Sequence, residues 1–265
     1  MIPTAVVTSC SAAGWEGYGR TFVETYVRYW PKDIKLWLIS EDALSGVPGS
    51  VNQVHLSGSE MAAGFLSRHR DDLRKQGRVQ QSGDPGWTPK KISDGYNFRL
   101  DAYRFAKKVF AIEFASRIAA DARRLFWVDA DVVTFAPIEP YFLARMLPHL
   151  CAISCLDRGA YHSECGFVGY NLDHPQTKPF IREFARLYAS DEVFTLQEWH
   201  DSWVFDWLRK RDKVATYNIP HRSRRHPFIN SELSKFLDHA KGNRKQNGRS
   251  PKDERVIRDR IAYWN

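Results

Sequence analysis

The alternation of apolar and polar residues at the start of the chain describes a strand, a loop, a helix and a second strand. Residues 5–9 favour a strand, and an amphipathic helical pattern covers residues 22–30 before a second strand pattern at 34–39. Between the first strand and the helix lie Gly14, Gly17 and Gly19. This order predicts a β-loop-α-β unit with parallel strands and a glycine-bearing loop where nucleotides usually bind. The glycines do not form a Gly-x-Gly-x-x-Gly motif.

The rest of the chain continues the alternation of strand and helix patterns. An irregular stretch at 77–91 is predicted to be a surface loop. The later patterns predict helices at 96–120, 141–146, 178–188 and 198–210, and a last helix from about Glu254. They predict strands at 125–128, 152–156, 166–172 and 215–218. We therefore expect an α/β fold with a central sheet.

Two carboxylates follow the apolar strand at 125–128. Asp129 and Asp131 are separated by one residue, so on extended backbone they point the same way and can share one ligand. Two like charges this close are costly unless a cation or an arginine compensates them. Oxygen ligands suit Mg²⁺ or Mn²⁺, which commonly bridge to phosphate oxygens. The pattern predicts a metal site at the carboxyl end of this strand, where ligands bind in α/β sheets.

Positive charge is concentrated in the last quarter of the chain. The 265 residues carry a net charge of +8, and residues 206–265 hold 16 Lys and Arg against 7 Asp and Glu. This distribution indicates an anionic partner, with a merely solvated basic tail as the alternative.

No apolar run is long enough to cross a bilayer and no signal sequence opens the chain, so we expect a cytoplasmic location. The four cysteines are predicted to be mostly buried free thiols.

Four segments in a fixed order resemble the GT-A glycosyltransferases, most closely the retaining family that includes glycogenin and bacterial lipooligosaccharide galactosyltransferases. The segments are the strand ending in Asp129 and Asp131, the stretch ECGFVGYNL at 164–172, the stretch EWHDS at 198–202, and HAKGNRK at 239–245, which has the spacing His-x-x-Gly-x-x-Lys. The Pro-Trp pair that usually follows the lysine in that family is absent. The resemblance implies one GT-A, Rossmann-like domain with a mixed sheet over residues 1–245 and a basic C-terminal extension over 246–265.

The resemblance also implies roles for residues in the last motif. His239 would be the third protein ligand of a Mn²⁺ or Mg²⁺ ion beside Asp129 and Asp131. Lys245 would contact the diphosphate of a UDP-sugar donor, and Gly242 would let the backbone approach the phosphates. The chemistry is consistent, because two carboxylates and an imidazole leave coordination positions for diphosphate oxygens.

Other residues are placed by their position in the predicted elements. Arg104 on the long helix would add charge stabilisation at the diphosphate. Thr8, Ser9 and Tyr18 lie at the end and exit of the first strand and would hold the nucleotide base and ribose. Glu164 and Asp201 are predicted to be catalytic carboxylates near the acceptor. The alternative for Glu164 is a turn residue, and the alternative for Asp201 is a helix cap.

Three acceptor hypotheses remain open. The basic segment and the cluster at 222–226 favour DNA carrying hydroxymethylated pyrimidines, as in phage genomes, with Phe228 stacking near a flipped base and the host cytoplasm as the location. Alternatively, the basic and aromatic residues at 255–264 would rest on anionic lipid, making a peripheral membrane enzyme that acts on cell-surface glycans. A non-catalytic binding protein of the same fold is the third hypothesis. No obligate protein partner is expected.

Overall fold

The computed structural model describes residues 2–87, 95–139, 141–242 and 248–265 of the chain. Seven strands form the central sheet in the order β3-β2-β1-β4-β7-β6-β8, and β5 pairs with β9 in a separate two-stranded sheet. The strands are β1 (Thr4–Cys10), β2 (Lys35–Ser40), β3 (Asn52–His55), β4 (Arg124–Val128), β5 (Val132–Thr134), β6 (Ile153–Leu156), β7 (Glu164–Asn171), β8 (Thr216–Asn218) and β9 (Leu237–His239).

The central sheet is mixed. Strands β3, β2, β1 and β4 run parallel, which confirms the parallel pairing predicted for the first two strands of the sequence. Strand β7 runs antiparallel to both β4 and β6, and β8 is parallel to β6. The predicted α/β fold with a mixed central sheet is therefore confirmed.

Helices cover both faces of the sheet. They are α1 (Ala12–Gly14), α2 (Arg20–Tyr29), α3 (Glu60–His69), α4 (Ala102–Ile118), α5 (Phe142–Met146), α6 (Thr177–Ala189) and α7 (Asp201–Arg211). All five residues of β4 are buried, as expected for a strand covered on both sides. Leu125 and Trp127 belong to the core under α3, α4, α6 and α7, while Phe126 and Val128 belong to the core under α2, α5 and the β5–β9 pair.

The predicted glycine-bearing loop after β1 is wrong, because this segment is helical. The short helix α1 is followed by a π-helical turn at Trp15–Gly19 that leads directly into α2. Ser11 caps the segment by accepting a hydrogen bond from the Gly14 amide at 3.2 Å. A Cβ atom at Gly14 would lie 2.7 Å from the Tyr18 hydroxyl, so this glycine permits close packing within a helical segment.

The predicted C-terminal helix from about Glu254 is also wrong. Residues 248–265 contain only short 3₁₀ turns, and their side chains are anchored individually on the domain. The Trp264 indole is buried and donates to the Ser234 carbonyl at 2.7 Å, and the Tyr263 ring stacks on Phe135 at 3.9 Å. The Tyr263 hydroxyl donates to Asp238 in β9. The division at residue 245 stays a prediction.

The structure also bears on membrane-spanning helices, on the cysteines and on the stretch at 77–91. Among the described residues, no helix has both the length and the apolar character needed to cross a bilayer. All four cysteines are free thiols; Cys151 is partly exposed and the other three are buried. The irregular stretch predicted at 77–91 lies outside the described residues from 88 onward, and its described part consists of turns.

Candidate metal centre

Asp129, Asp131 and His239 lie together beyond the carboxyl end of β4. The His239 Nε2 atom is 3.0 Å from Oδ1 of Asp131 and 3.5 Å from Oδ2 of Asp129. One ligand atom from each of the three side chains lies within 4.8 Å of the others. Adjacent oxygen ligands of an octahedral Mg²⁺ ion are about 3 Å apart, given metal–oxygen bonds of about 2.1 Å. The spacing therefore suits one small divalent cation.

His239 reaches the aspartates because of the two-stranded sheet. In the antiparallel pairing of β5 with β9, Val132 lies opposite His239, so the histidine is held beside the residue that follows Asp131. The imidazole also packs against Gly166 of β7, where a Cβ atom would lie 2.4 Å from His239 Cε1. Only glycine leaves room for the ring at this position.

The surroundings of the His239 ring fit a metal ligand. The side chain is buried, yet neither ring nitrogen has a hydrogen-bond partner of acceptable geometry within the described parts of the chain. Burial lowers the pKa of His239, but Asp131 and Glu164 outweigh this and raise the pKa to about 9. A buried imidazole that faces two carboxylates without donating a good hydrogen bond is satisfied when a cation occupies the space between them.

Lys108 of α4 links the cluster to Asp201, and the sequence analysis missed this role. Its Nζ atom is 2.9 Å from Asp129 Oδ1, 2.9 Å from Asp201 Oδ2 and 2.7 Å from the Cys165 carbonyl oxygen. Burial lowers the pKa of Lys108, but the two carboxylates hold it well above its ordinary value. The signal was present in the sequence, since Asp101, Arg104 and Lys108 follow one another at helical spacing on one side of α4.

Glu164 lies behind the histidine. Its Oε1 atom accepts a hydrogen bond from the Gly166 amide at 3.1 Å and lies 3.5 Å from His239 Nδ1, while Oε2 is 2.6 Å from the Lys241 ammonium. Burial raises the pKa of Glu164, but Lys241 and His239 hold it well below the usual range. Lys241 was missed as well, although it stands inside the motif that identified His239.

Tyr18 and Arg104 lie at the edge of the same site. Burial raises the pKa of Tyr18, and the charge of Asp131 raises it further while Arg104 opposes the change. Arg104 is exposed and donates to the Tyr96 hydroxyl at 3.4 Å. Tyr18 is thus within electrostatic range of Asp131 and Asp129, whereas Arg104 is within range of Tyr18.

The remaining predicted site residues have no described contact with the cluster. The Thr8 side chain is buried in β1, and its hydroxyl has no hydrogen-bond partner among the residues the structure describes. Ser9 is partly exposed at the next position. Gly242 is exposed with φ of 59°, and a Cβ atom there would meet nothing within 4 Å. Lys245 lies outside the described residues, so its role stays a prediction.

Phe228 does not have the position predicted for a stacking or wedging residue. Its side chain is fully buried, and its ring packs on His239 with 5.1 Å between ring centroids. The apolar ring of Phe228 fills the space behind the imidazole, and for this reason the ring is unavailable to a nucleotide base.

The Asp201 side chain is also buried, and Lys108 keeps the pKa of Asp201 below its ordinary value despite the opposing effect of burial.

Comparisons with known proteins give distant similarities of fold. No protein-family model matches the sequence, and no curated protein sequence matches it. The apo crystal structure of mouse xyloside xylosyltransferase 1 aligns with a TM-score of 0.49 and 10% identity, over 81% of this chain and 84% of that one. The apo form of the glycosyltransferase GlyE from Streptococcus pneumoniae TIGR4 aligns with a TM-score of 0.46 and 12% identity, over 82% of this chain and 45% of that one. This chain therefore spans less than half of the GlyE chain.

Proposed function

We propose that this chain is a metal-dependent glycosyltransferase of the GT-A fold. It transfers a sugar from a UDP-sugar to a hydroxyl acceptor, for which we favour a hydroxymethylated pyrimidine base in DNA. One observation carries the proposal: Asp129 Oδ2, Asp131 Oδ1 and His239 Nε2 converge at the carboxyl end of β4, as the resemblance to the glycogenin family requires.

The residues present fit a divalent cation. Lys108 and the Trp127 indole both contact Oδ1 of Asp129, at 2.9 and 2.6 Å, which leaves Oδ2 facing His239. A bound Mn²⁺ or Mg²⁺ ion would act as a Lewis acid on the donor diphosphate. In the proposal, Thr8, Ser9 and Tyr18 hold the nucleotide base and ribose. The residues assigned to the donor diphosphate are Arg104, Gly242 and Lys245.

The chain's own side chains hold the site in one arrangement. Glu164 faces Nδ1 of His239 and is itself fixed by Lys241 and the Gly166 amide, so it orients the imidazole. Lys108 holds Asp201 next to Asp129. We therefore assign Glu164 as a positioning residue and keep Asp201 as the predicted carboxylate near the acceptor.

The ion pairs that Glu164 and Asp201 form with lysines support a transfer that retains the configuration of the sugar. An inverting reaction requires a carboxylate base, whereas in a retaining one the departing phosphate can accept the acceptor's proton. Glu164 and Asp201 are each bound to a lysine, and the pKa of each lies below its ordinary value. Neither is a strong base. Proton NMR of the product's anomeric signal tests this point directly.

The activity is tested by measuring UDP release from a panel of UDP-sugars with Mn²⁺ or Mg²⁺. We expect EDTA to abolish release and Asp131→Asn to reduce it by about 100-fold. Asp33→Asn, which changes an exposed aspartate away from the site, is the matched control. Wild-type protein that neither binds UDP in the presence of Mn²⁺ nor releases it from any donor would refute the proposal.

The charge around the site supports a polyanionic acceptor. Arg222, Arg224 and Arg225 are exposed, and the Arg224 carbonyl accepts a hydrogen bond from Arg158 in the loop that leads to β7. A cavity of about 560 Å³ is lined by Asp157, Gly159, Asn218 and residues 220–224. Phe228, three residues beyond Arg225, packs on His239, so this basic segment is connected directly to the metal cluster.

The DNA acceptor is tested by transfer to hydroxymethylcytosine DNA compared with transfer to acceptors on anionic vesicles. Replacing Arg222 and Arg224 by Ala should weaken DNA binding and lower its salt dependence by about one unit of slope per lost phosphate contact. Replacement of Lys178 and Arg182, exposed residues near the opposite end of β4, is the matched control. Transfer to vesicle-borne acceptors alone would eliminate the DNA hypothesis.

The membrane alternative has less structural support. Its aromatic contact residues would be Tyr263 and Trp264, but the Trp264 ring is buried and Tyr263 is stacked on Phe135. These rings would have to leave the domain before they could enter a lipid surface. Flotation with anionic vesicles tests this alternative on the intact chain.

A further inference from the structure

A second cluster of possible metal ligands shares no residue with the first. It consists of His162, in the loop between β6 and β7, and of Glu198 and His200, which precede α7. Asp201, the residue after His200, contacts Lys108. The pairing of His200 and Glu198 with His162 is not visible in the sequence, because His162 is separated from them by strand β7 and helix α6.

The distances in this cluster match those between ligands of one ion. Oε2 of Glu198 is 3.0 Å from His200 Nε2 and 3.3 Å from His162 Nε2. A tetrahedral zinc ion with bonds of about 2.0–2.1 Å holds its ligand atoms about 3.3 Å apart. Small side-chain movements would therefore allow all three atoms to bind one ion.

The ligands are held by their neighbours. His200 is buried, and its ring packs against Phe98 and Phe105, with centroid distances of 5.3 and 5.8 Å. Arg99 contacts Glu198 through Oε1 at 3.4 Å, which leaves Oε2 to the two imidazoles. A third of the His162 side chain is exposed, so the cluster is accessible from solvent.

The donor set distinguishes this cluster from the first one. Two imidazoles and one carboxylate form the ligand set of catalytic zinc sites, in which a fourth position is open to water or substrate. The Asp129 cluster has two carboxylates and one imidazole and suits a harder ion. We infer that His162, Glu198 and His200 form a second cation site, selective for Zn²⁺ or a similar transition-metal ion, with one coordination position open. This inference is independent of the proposed function.

The probe is Co²⁺, whose visible absorption is intense at tetrahedral sites and weak at octahedral ones. The experiment uses the Asp131→Asn protein, so that binding at the first site is weakened. We expect an intense Co²⁺ band that one equivalent of Zn²⁺ displaces, and a Zn²⁺ affinity about 100-fold lower after His162→Ala. Since His162 is partly exposed, this substitution should leave the fold intact; thermal unfolding checks it.

His55→Ala, which removes an exposed histidine outside both clusters, is the matched control and should leave the Co²⁺ band unchanged. Glu198→Gln, which keeps the size of the side chain, should also abolish the band. Absence of an intense band in the Asp131→Asn protein would overturn the inference, as would a band that survives both His162→Ala and Glu198→Gln. The cluster would then be an ion-paired network that only orders the start of α7.

Discussion

The close contact between His239 and Gly166 gives the sharpest test of the metal centre. In Gly166→Ala the new Cβ atom would lie 2.4 Å from Cε1 and 2.5 Å from Nδ1 of the imidazole. Carbon contacts are normally about 3.5–4.0 Å, so the ring would have to move by about 1 Å. It has little room to do so, because Phe228 packs on it.

The cost of this substitution can be estimated. Overpacking of this kind costs about 1–3 kcal/mol, and metal–ligand distances tolerate only about 0.2 Å of change. If the displaced ring no longer binds well, Mn²⁺ affinity should fall by about ten- to a hundredfold, since about 1.4 kcal/mol corresponds to a factor of ten. Isothermal titration calorimetry with Mn²⁺ measures this loss, and thermal unfolding in EDTA measures the cost to the fold.

Gly169→Ala provides the matched control on the same strand. Its Cβ atom would lie 2.5 Å from the Ser154 hydroxyl oxygen and 2.9 Å from a ring carbon of Phe126, so it overpacks the core without touching a metal ligand. Both variants should lower the melting temperature, but only Gly166→Ala should also weaken Mn²⁺ binding. A folded Gly166→Ala protein with wild-type Mn²⁺ affinity would show that His239 is not a ligand.

Three further predictions concern stability. Lys108→Met removes the cation that pairs with both Asp129 and the buried Asp201, and should cost about 3–5 kcal/mol in urea unfolding with EDTA. Lys107→Met, which removes the partner of a single carboxylate, Glu41, should cost less, and equal costs would contradict the network. In metal-free protein the pKa of His239 is raised from 6.5 to about 9. Protonated His239 therefore contributes roughly 3 kcal/mol to the free energy of unfolding; this contribution is complete below pH 6.5 and is lost as the pH rises through 9. Unfolding of wild type and His239→Gln across this range should show the difference disappearing. Trp264→Ala should cost about 3–5 kcal/mol, and an unchanged melting temperature would mean that the C-terminal segment is not anchored.

The candidate metal ligands were predictable to different degrees from the sequence. Asp129 and Asp131 could be found from local pattern alone, because a buried strand that ends in two alternate carboxylates is unusual. His239 could not, since its place beside them depends on the pairing of β5 with β9 across about a hundred residues. Only the spacing of the His-x-x-Gly-x-x-Lys motif pointed to it.

Two of the wrong predictions share a physical cause. Glycines after a strand favour a loop when only local conformational preference is considered, but Gly14 is required by the packing of Tyr18 against a helical turn. Phe228 in a basic segment resembles an exposed aromatic residue, yet it fills the space behind His239. In both cases a tertiary contact outweighs the local preference, and such contacts leave no periodic signal in the sequence.

The contact of Lys108 with Asp129 does not argue against a cation at this carboxylate. Lys108 and the Trp127 indole contact the same carboxylate oxygen, Oδ1, and the other oxygen faces His239. The two cations would therefore bind different oxygens of one carboxylate and would not compete for the same position. Because Lys108 also contacts Asp201 Oδ2 at 2.9 Å, the same lysine joins the candidate metal site to the carboxylate that we propose lies near the acceptor.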